Sequence, residues 1–187
     1  MWTRHFRHWF AVLLLGGFGL LWAVASVWAQ QPSARLYLPL VIRAEPTPTS
    51  AFSEEALAVT AYTNQYRQAA GCPPLTLSPQ LTQAAQRHTD DMAYNDFFDH
   101  TGSDGSSPGD RIRDTGYDFL LAGENIAAGY PTAQEVVEGW MSSPPHRANI
   151  LNCDYREIGV GYTYLANDTG TVNYRHYWAQ VLATPKP

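Results

Sequence analysis

The chain has 187 residues, of which 13% are aromatic and 16% charged, and its net charge is −5. This length suits about one domain, and the acidic balance excludes a protein that holds nucleic acid by general electrostatic attraction. Two cysteines are too few for a disulfide-dense scaffold or a four-thiolate zinc site, and the aromatic share excludes a chain that is disordered throughout.

Residues 1–29 have the composition of an export segment. Arg4 and Arg7 precede an uncharged run from Phe10 to Ala29, and a basic start, an apolar run and a small residue at the cut site are typical of a secretory signal. The run is also long enough to span a bilayer. A signal peptide cleaved after Ala29 and an uncleaved N-terminal anchor are therefore both open. Either one places the rest of the protein outside the cell or on its surface.

Residues 30–52 are rich in proline and threonine, which predicts an extended linker. An apolar stretch, residues 36–42, lies inside it. The remaining segment, residues 53–184, is long enough to bury a core of its own. It holds sixteen acidic residues and seven scattered arginines, a balance of −9, and has no basic stripe for a nucleic acid.

Two long helices are predicted at the start of this segment. Ser53 is a typical N-cap, followed by acidic residues that favour the first turn of a helix. This helix is predicted to continue to about Ala70. Ser78 followed by Pro79 predicts the start of the second helix. Its apolar face includes His88, which we interpret as a core histidine.

The middle of the segment predicts three short helices around one irregular stretch. Pro108 to Thr115 is predicted as a helix, and residues 123–126 as irregular chain. Thr132 to Glu135 matches a capping box and predicts another helix. The Ser-Pro-Pro-His sequence at 143–146 repeats the N-cap and proline pattern and predicts one further helical turn.

The end of the segment predicts a hairpin. Residues 158–165 alternate in polarity like a strand, residues 167–170 form a turn, and residues 171–184 return as the second strand. Helices followed by an antiparallel hairpin predict a layered α+β domain rather than repeated βαβ units. The even cysteine pair of an exported chain predicts a disulfide between Cys72 and Cys153, with two buried free thiols as the alternative.

Short catalytic motifs are lacking. The sequence has no H-E-x-x-H zinc helix, no G-x-S-x-G elbow and no P-loop. His100 follows an aromatic pair and precedes a Gly/Ser loop, which places it where a helix end opens onto a cleft. His146 begins a helical turn, and Glu124 lies among glycines that let other backbone approach. These three residues are the candidate site.

Several phrases in this order resemble one family. They are Phe97-Phe98-Asp99-His100, Gly123-Glu124-Asn125-Ile126-Ala127, Trp140 with residues 143–151, residues 158–161 and residues 177–180, together with Asn64 and Arg67. The set resembles the CAP superfamily, which includes cysteine-rich secretory proteins, antigen 5 and pathogenesis-related 1 proteins, and is also called the SCP domain. The resemblance covers nearly all of residues 53–184 and is strongest to the bacterial branch.

The resemblance implies an α-β-α sandwich with a central antiparallel sheet. It also implies a cleft with two histidines and two glutamates that binds zinc or another divalent metal in some members. His100 and Glu124 match the first of each kind, and we take His146 as the second histidine. Animal and plant members place the second histidine on the last strand. The matching position here is Tyr177, and His176 is one residue away. The position of the second glutamate holds Ser143 here, and Glu138 is the alternative candidate. Because this ligand position lacks a carboxylate, we expect weak or no metal binding.

The sequence therefore predicts a secreted or surface-tethered CAP domain that binds an unknown small molecule, lipid or protein. Binding is favoured over catalysis, and an enzymatic role stays open. The cleft set is His100, Glu124 and His146, supported by Asn125, Ser143 and Gln180. No cofactor is required, although zinc at His100 and His146 is an option. One alternative is a metal-dependent hydrolase or peptidase with Glu124 as general base. Another alternative is a structural or adhesive surface protein. Contact with a membrane is expected only if the N-terminal segment stays uncleaved.

Overall fold

The computed structural model describes residues 50–187. The predictions for residues 1–29 and for nearly all of 30–52 lie outside this range. The described chain forms, in order, α1 (Glu54–Ala69), β1 (Thr76–Leu77), α2 (Pro79–Tyr94), α3 (Pro108–Asp114), β2 (Phe119–Ala128), α4 (Ala133–Ser142), α5 (Pro144–Ile150), β3 (Glu157–Tyr164) and β4 (His176–Pro185). No helix of residues 50–187 combines the length and the apolar character that crossing a membrane requires.

The four strands form one sheet in the order β1-β3-β4-β2. The pairs β3–β4 and β4–β2 are antiparallel, and the two-residue β1 adds a short parallel pair to β3. β2 and β1 are therefore the two edges of the sheet. The long β2–β4 pairing places residues 121–128 opposite residues 177–184, and β2 carries the site described below.

Helices cover both faces of the sheet, which confirms the predicted α-β-α sandwich. Along β4, Tyr177, Ala179 and Val181 point to the layer that contains α2 and α3. Trp178 and Leu182 point to the opposite layer, which contains α1, α4 and α5. This alternation is the period of two that a strand imposes on its side chains, and it gives the domain two cores separated by the sheet.

The predicted helix starts agree well with the structure. Ser53, Ser78, Ser107 and Thr132 each cap a helix through a side-chain oxygen that accepts a backbone N–H. Ser143 also precedes a helix, but its side chain makes no cap hydrogen bond. That helix runs for seven residues rather than a single turn.

Two strand predictions were wrong. Residues 123–126, predicted as irregular, lie inside β2, because long pairing with β4 outweighs the weak strand preference of glycine, asparagine and glutamate. The returning strand begins at His176 rather than Thr171. Asp168 explains this delay, since its carboxylate accepts the backbone N–H groups of Tyr174 and Arg175 and so holds residues 171–175 as a loop.

The disulfide between Cys72 and Cys153 is confirmed, with the two Cα atoms 4.9 Å apart. It joins the chain just after α1 to the chain just after α5 across 81 residues. We expect the Cys72→Ser/Cys153→Ser variant to lose about 4 kcal/mol of unfolding free energy, because the unfolded chain gains loop freedom. Urea unfolding with and without a reducing agent measures this. The reductant is expected to destabilise only the wild type, and an equal response of both proteins would contradict the prediction.

Candidate functional site

Glu124 is the centre of a buried ionic cluster. It lies on β2 with its side chain toward the α2 layer, and that side chain is 2% exposed. His100, in the loop after α2, donates its Nδ1–H to Glu124 Oε1 at 2.8 Å. Arg111, on α3, donates from Nη2 to Glu124 Oε2 at 2.9 Å. Both carboxylate oxygens therefore have a donor from the protein itself.

Arg111 is a buried neighbour of Glu124 that the sequence alone does not indicate. Its side chain is buried and also donates to the carbonyl oxygens of Ser106 and His100. These contacts fasten the Gly/Ser loop, residues 101–107, to the base of α3 and fix the backbone of His100. An arginine in a short helix gives no signal of its own in the sequence, because its partner Glu124 lies in a separate strand.

His88 is the core histidine that its position on α2 predicts. Its side chain is fully buried, and Nε2 lies 2.9 Å from the carbonyl oxygen of Asp99, so this nitrogen carries the hydrogen that is donated. Burial lowers the pKa of His88, which keeps the ring neutral. Nε2 is also 3.8 Å from Glu124 Oε1, so His88 packs against the ionic cluster from the side of α2.

The cluster shifts the pKa values of His100 and Glu124 in opposite directions. The hydrogen bond to Glu124 raises the pKa of His100. Burial alone would raise the pKa of Glu124, but the His100 hydrogen bond and the positive charge of Arg111 hold it below its ordinary value. Glu124 is therefore a carboxylate at neutral pH, and His100 presents its other nitrogen, Nε2, from a side chain that is half exposed.

A buried amide network holds His146 near this cluster from the opposite face of the sheet. The side-chain amide of Asn125 donates to Gln180 Oε1 at 2.9 Å and to the carbonyl oxygen of His146 at 3.2 Å. Gln180 in turn donates to Thr63 of α1 at 2.9 Å. Asn149 donates to Asn125 Oδ1 at 2.8 Å. The predicted supporting roles of Asn125 and Gln180 are thus roles in positioning α5 against β2.

A groove of about 290 Å³ runs beside the edge of β2. Its floor is formed by residues 126–128. One wall is formed by α4 and α5 through Gly139, Trp140, Ser143 and His146, and the other by Phe98 and Tyr174, with Tyr130 completing the lining. The rings of Phe98 and Tyr174 pack edge to face at 5.9 Å and are 38% and 47% exposed. Ser143 and His146, both predicted as cleft residues, lie in this groove.

His100 does not share the groove lining with His146, although the two side chains are near enough for the charge of His100 to act on His146. His146 lines the groove, and His100 follows the groove residue Phe98 by two positions. Burial lowers the pKa of His146, and the neighbouring charge of His100 lowers it further. No hydrogen bond joins His146 to Glu124 within the described chain. Glu138 and His176 lie elsewhere, Glu138 beside Tyr62 of α1 and His176 against Tyr162.

The residues present do not fit the divalent metal that the resemblance implies. Both oxygens of Glu124 are held by His100 and Arg111, and a metal ion bound there would meet the positive guanidinium directly. The second glutamate position is Ser143. Among residues 50–187 no cluster of three or more histidine, cysteine or acidic side chains has the geometry of a metal site. Two imidazoles alone fall short of the three protein ligands that a catalytic zinc site normally has.

Comparison with known proteins gives a consistent family assignment. The model of the CAP family, described as the cysteine-rich secretory protein family, matches residues 60–182. The uncharacterized protein YkwD of Bacillus subtilis is 40% identical over 117 residues, which are 63% of this chain and 44% of YkwD. The uncharacterized membrane protein YlbC of the same organism is 38% identical over 99 residues, 53% of this chain and 29% of YlbC. The chain thus spans less than half the length of either relative.

Solved structures share the fold. An extracellular protein containing an SCP domain from Bacillus anthracis aligns with a TM-score of 0.60 at 29% identity, over 69% of this chain and 40% of that one. An outer surface protein of Borrelia burgdorferi aligns with a TM-score of 0.61 at 22% identity, over 72% of this chain and 95% of that one. With the matching family model, the packing of helices on both faces of the sheet and the residues around Glu124, these likenesses show that the chain belongs to the CAP family of cysteine-rich secretory proteins.

Proposed function

We propose that this protein is an exported CAP-domain binding module that holds its ligand, without a metal ion, in the groove beside β2. The observation that carries the proposal is the groove itself. Its walls present exposed aromatic rings at Phe98, Tyr130 and Tyr174 together with the imidazole of His146. Apolar walls with a few polar groups are the usual composition of a ligand site, and aromatic rings exposed together mark binding surfaces.

The ionic cluster acts in this proposal as a support for the groove. Arg111 and His100 each donate to one oxygen of the buried Glu124 carboxylate, so the carboxylate needs no ligand to complete it. Their contacts fix His100 and the loop of residues 101–107, directly after the groove residue Phe98. The Asn125–Gln180 network fixes α5 and so His146 on the opposite wall. Both walls are therefore held in place before a ligand arrives, which lowers the entropy cost of binding.

The same geometry argues against the hydrolase alternative. A general base works best with a pKa near the operating pH and within reach of the proton that it takes. Glu124 is 2% exposed in its side chain, has a lowered pKa and is paired with a guanidinium. A carboxylate in this state is a weak base. Arg111 therefore makes Glu124 a structural anchor rather than a catalytic group.

Export of the protein is part of the proposal. The basic and apolar N-terminal segment, residues 1–29, is the pattern of a signal or anchor. A disulfide such as Cys72–Cys153 persists in oxidising compartments. Relatives of the same fold are named as an extracellular protein and an outer surface protein. We propose an extracellular or cell-surface location for this chain on these three supports.

Mass spectrometry of compounds that co-purify with the full-length protein tests the binding proposal. The Phe98→Ala/Tyr174→Ala variant removes one wall of the groove, and Tyr94→Ala/Leu120→Ala removes two exposed side chains outside it. We expect at least one compound to be recovered with the wild type and the control, and about tenfold less with the groove variant. The absence of any compound whose recovery depends on the groove rings would overturn the proposal.

A further inference from the structure

The floor of the groove is an exposed edge of the sheet. β2 pairs with β4 on one side and, within residues 50–187, has no strand on the other. Natural proteins usually protect such an edge with charges, proline or a short strand. β2 is ten residues long, and residues 126–128, Ile-Ala-Ala, carry neither charge nor proline. This part of the edge is instead left at the bottom of an aromatic groove.

The backbone groups that face the groove follow from the pairing of β2 with β4. Gly129 donates its N–H to the carbonyl of His176, and residues of an antiparallel strand alternate between bonding to the partner and pointing away. Ala127 and Asn125 therefore bond to β4, whereas Ala128, Ile126 and Glu124 direct their N–H and C=O groups to the open side. Two side-chain contacts agree with this alternation of inward and outward backbone groups. Trp140 donates to the carbonyl of Ile126, and Asn149 to that of Glu124.

The remaining outward groups are mostly donors. The carbonyls of Ile126 and Glu124 have side-chain partners, but across residues 50–187 no side chain accepts from the N–H of Ile126 or Ala128, and none donates to the carbonyl of Ala128. Ala128 thus offers one donor and one acceptor on the same side. That pair matches the two hydrogen bonds that one residue of a neighbouring antiparallel strand exchanges.

We propose that the groove binds an extended peptide, which adds to the sheet as a strand beside β2, exchanges two backbone hydrogen bonds with Ala128 and accepts one from the N–H of Ile126. This inference rests on the proposed function of the groove and names its ligand class. Backbone hydrogen bonds supply affinity in such strand addition, and pockets for alternate side chains supply specificity. The peptide side chains alternate between the Phe98–Tyr174 wall and the wall formed by Ser143 and His146. Apolar or aromatic residues suit the first wall.

A library of acetylated heptapeptide amides, randomised at the middle five positions, is the probe. Binding to the full-length protein is followed by fluorescence polarisation, and the backbone amides of the protein by NMR. We expect selected peptides to shift the amide signals of Ile126 and Ala128. N-methylation of the peptide residue paired with Ala128 is expected to weaken binding about tenfold. N-methylation of the residues on either side, whose N–H groups point away from β2, is expected to change it little.

Ala128→Pro tests the same contact from the protein side, with Ala128→Val as the matched control. Proline removes the outward N–H without removing a bond to β4, whereas valine adds bulk and keeps the N–H. We expect proline alone to weaken peptide binding. Failure of every library peptide to bind, binding that tolerates N-methylation everywhere, or self-association of the protein through the same amides would overturn the inference. If compounds still depend on the Phe98 and Tyr174 rings in that case, the groove binds another ligand class and the proposed function stands.

Discussion

Replacing Gly159 with alanine is expected to lower the unfolding free energy by about 3 kcal/mol or more. A Cβ at Gly159 would overlap the backbone of α2 at Leu81, and a Cβ at Gly161 would overlap it at Ala85. The helix backbone cannot move away without opening the core on that face of the sheet. The two glycines of β3 therefore let α2 lie directly on the sheet, and α2 leads into the loop that carries His100.

Gly109→Ala is the matched control for this prediction. Gly109 lies in α3, and the nearest contact of an added Cβ would be the end of the flexible Arg113 side chain at 3.2 Å. The gain in helix propensity, at most about 1 kcal/mol, is expected to make this variant neutral or slightly stabilising. Thermal and urea unfolding measure both. Equal stabilities for Gly159→Ala and Gly109→Ala would show that α2 does not rest on the glycines.

Replacing Arg111 with methionine is expected to cost about 3–5 kcal/mol, because it leaves the carboxylate of Glu124 buried without its ion-pair partner. The folded protein holds the pKa of Glu124 below its ordinary value. The stabilisation that Glu124 gains from its partners is therefore present above that ordinary value and is lost as the pH falls through the lowered one. We expect the gap between wild type and variant to narrow in acid, when Glu124 becomes neutral.

Two further variants separate this ion pair from a general effect of removing arginine. Arg87 pairs with Asp104 and Asp114 at the surface, so Arg87→Met is expected to cost no more than about 1 kcal/mol. Arg111→Met/Glu124→Gln removes both partners and is expected to recover much of the loss, and the double-mutant cycle measures the coupling. A loss for Arg111→Met no larger than that for Arg87→Met would contradict a buried, stabilising pair.

Local signals predicted the helices of this domain well, because a helix start depends on neighbours in the sequence. Ser53, Ser78 and Thr132 cap through contacts with residues three positions along the chain. β2 was missed because its partners lie far along the chain in β4 and its own residues, Gly123 to Asn125, are poor strand formers. Pairing across the sheet, which a single sequence does not display, determines this strand.

The candidate site was predicted in part for the same reason. His100 and Glu124 do meet, and the phrases that carry the family resemblance contain both. Arg111 was missed, and with it the chemistry of the cluster, since a carboxylate beside a histidine suggests a metal site only while its other oxygen is free. The groove rings of Phe98 and Tyr174 were also missed. Their meeting depends on the loop that Asp168 holds before β4.

Calorimetric titration of zinc tests the central claim, that Glu124 is an internally paired anchor and the cleft works without a metal. Both cysteines of the chain are joined in the disulfide, so thiols do not compete. The full-length wild type and the His100→Ala/His146→Ala variant are compared, because the histidines outside the cleft are common to both. We predict the same heats for the two proteins. A saturable zinc-binding heat in the wild type that the double variant lacks would contradict the claim.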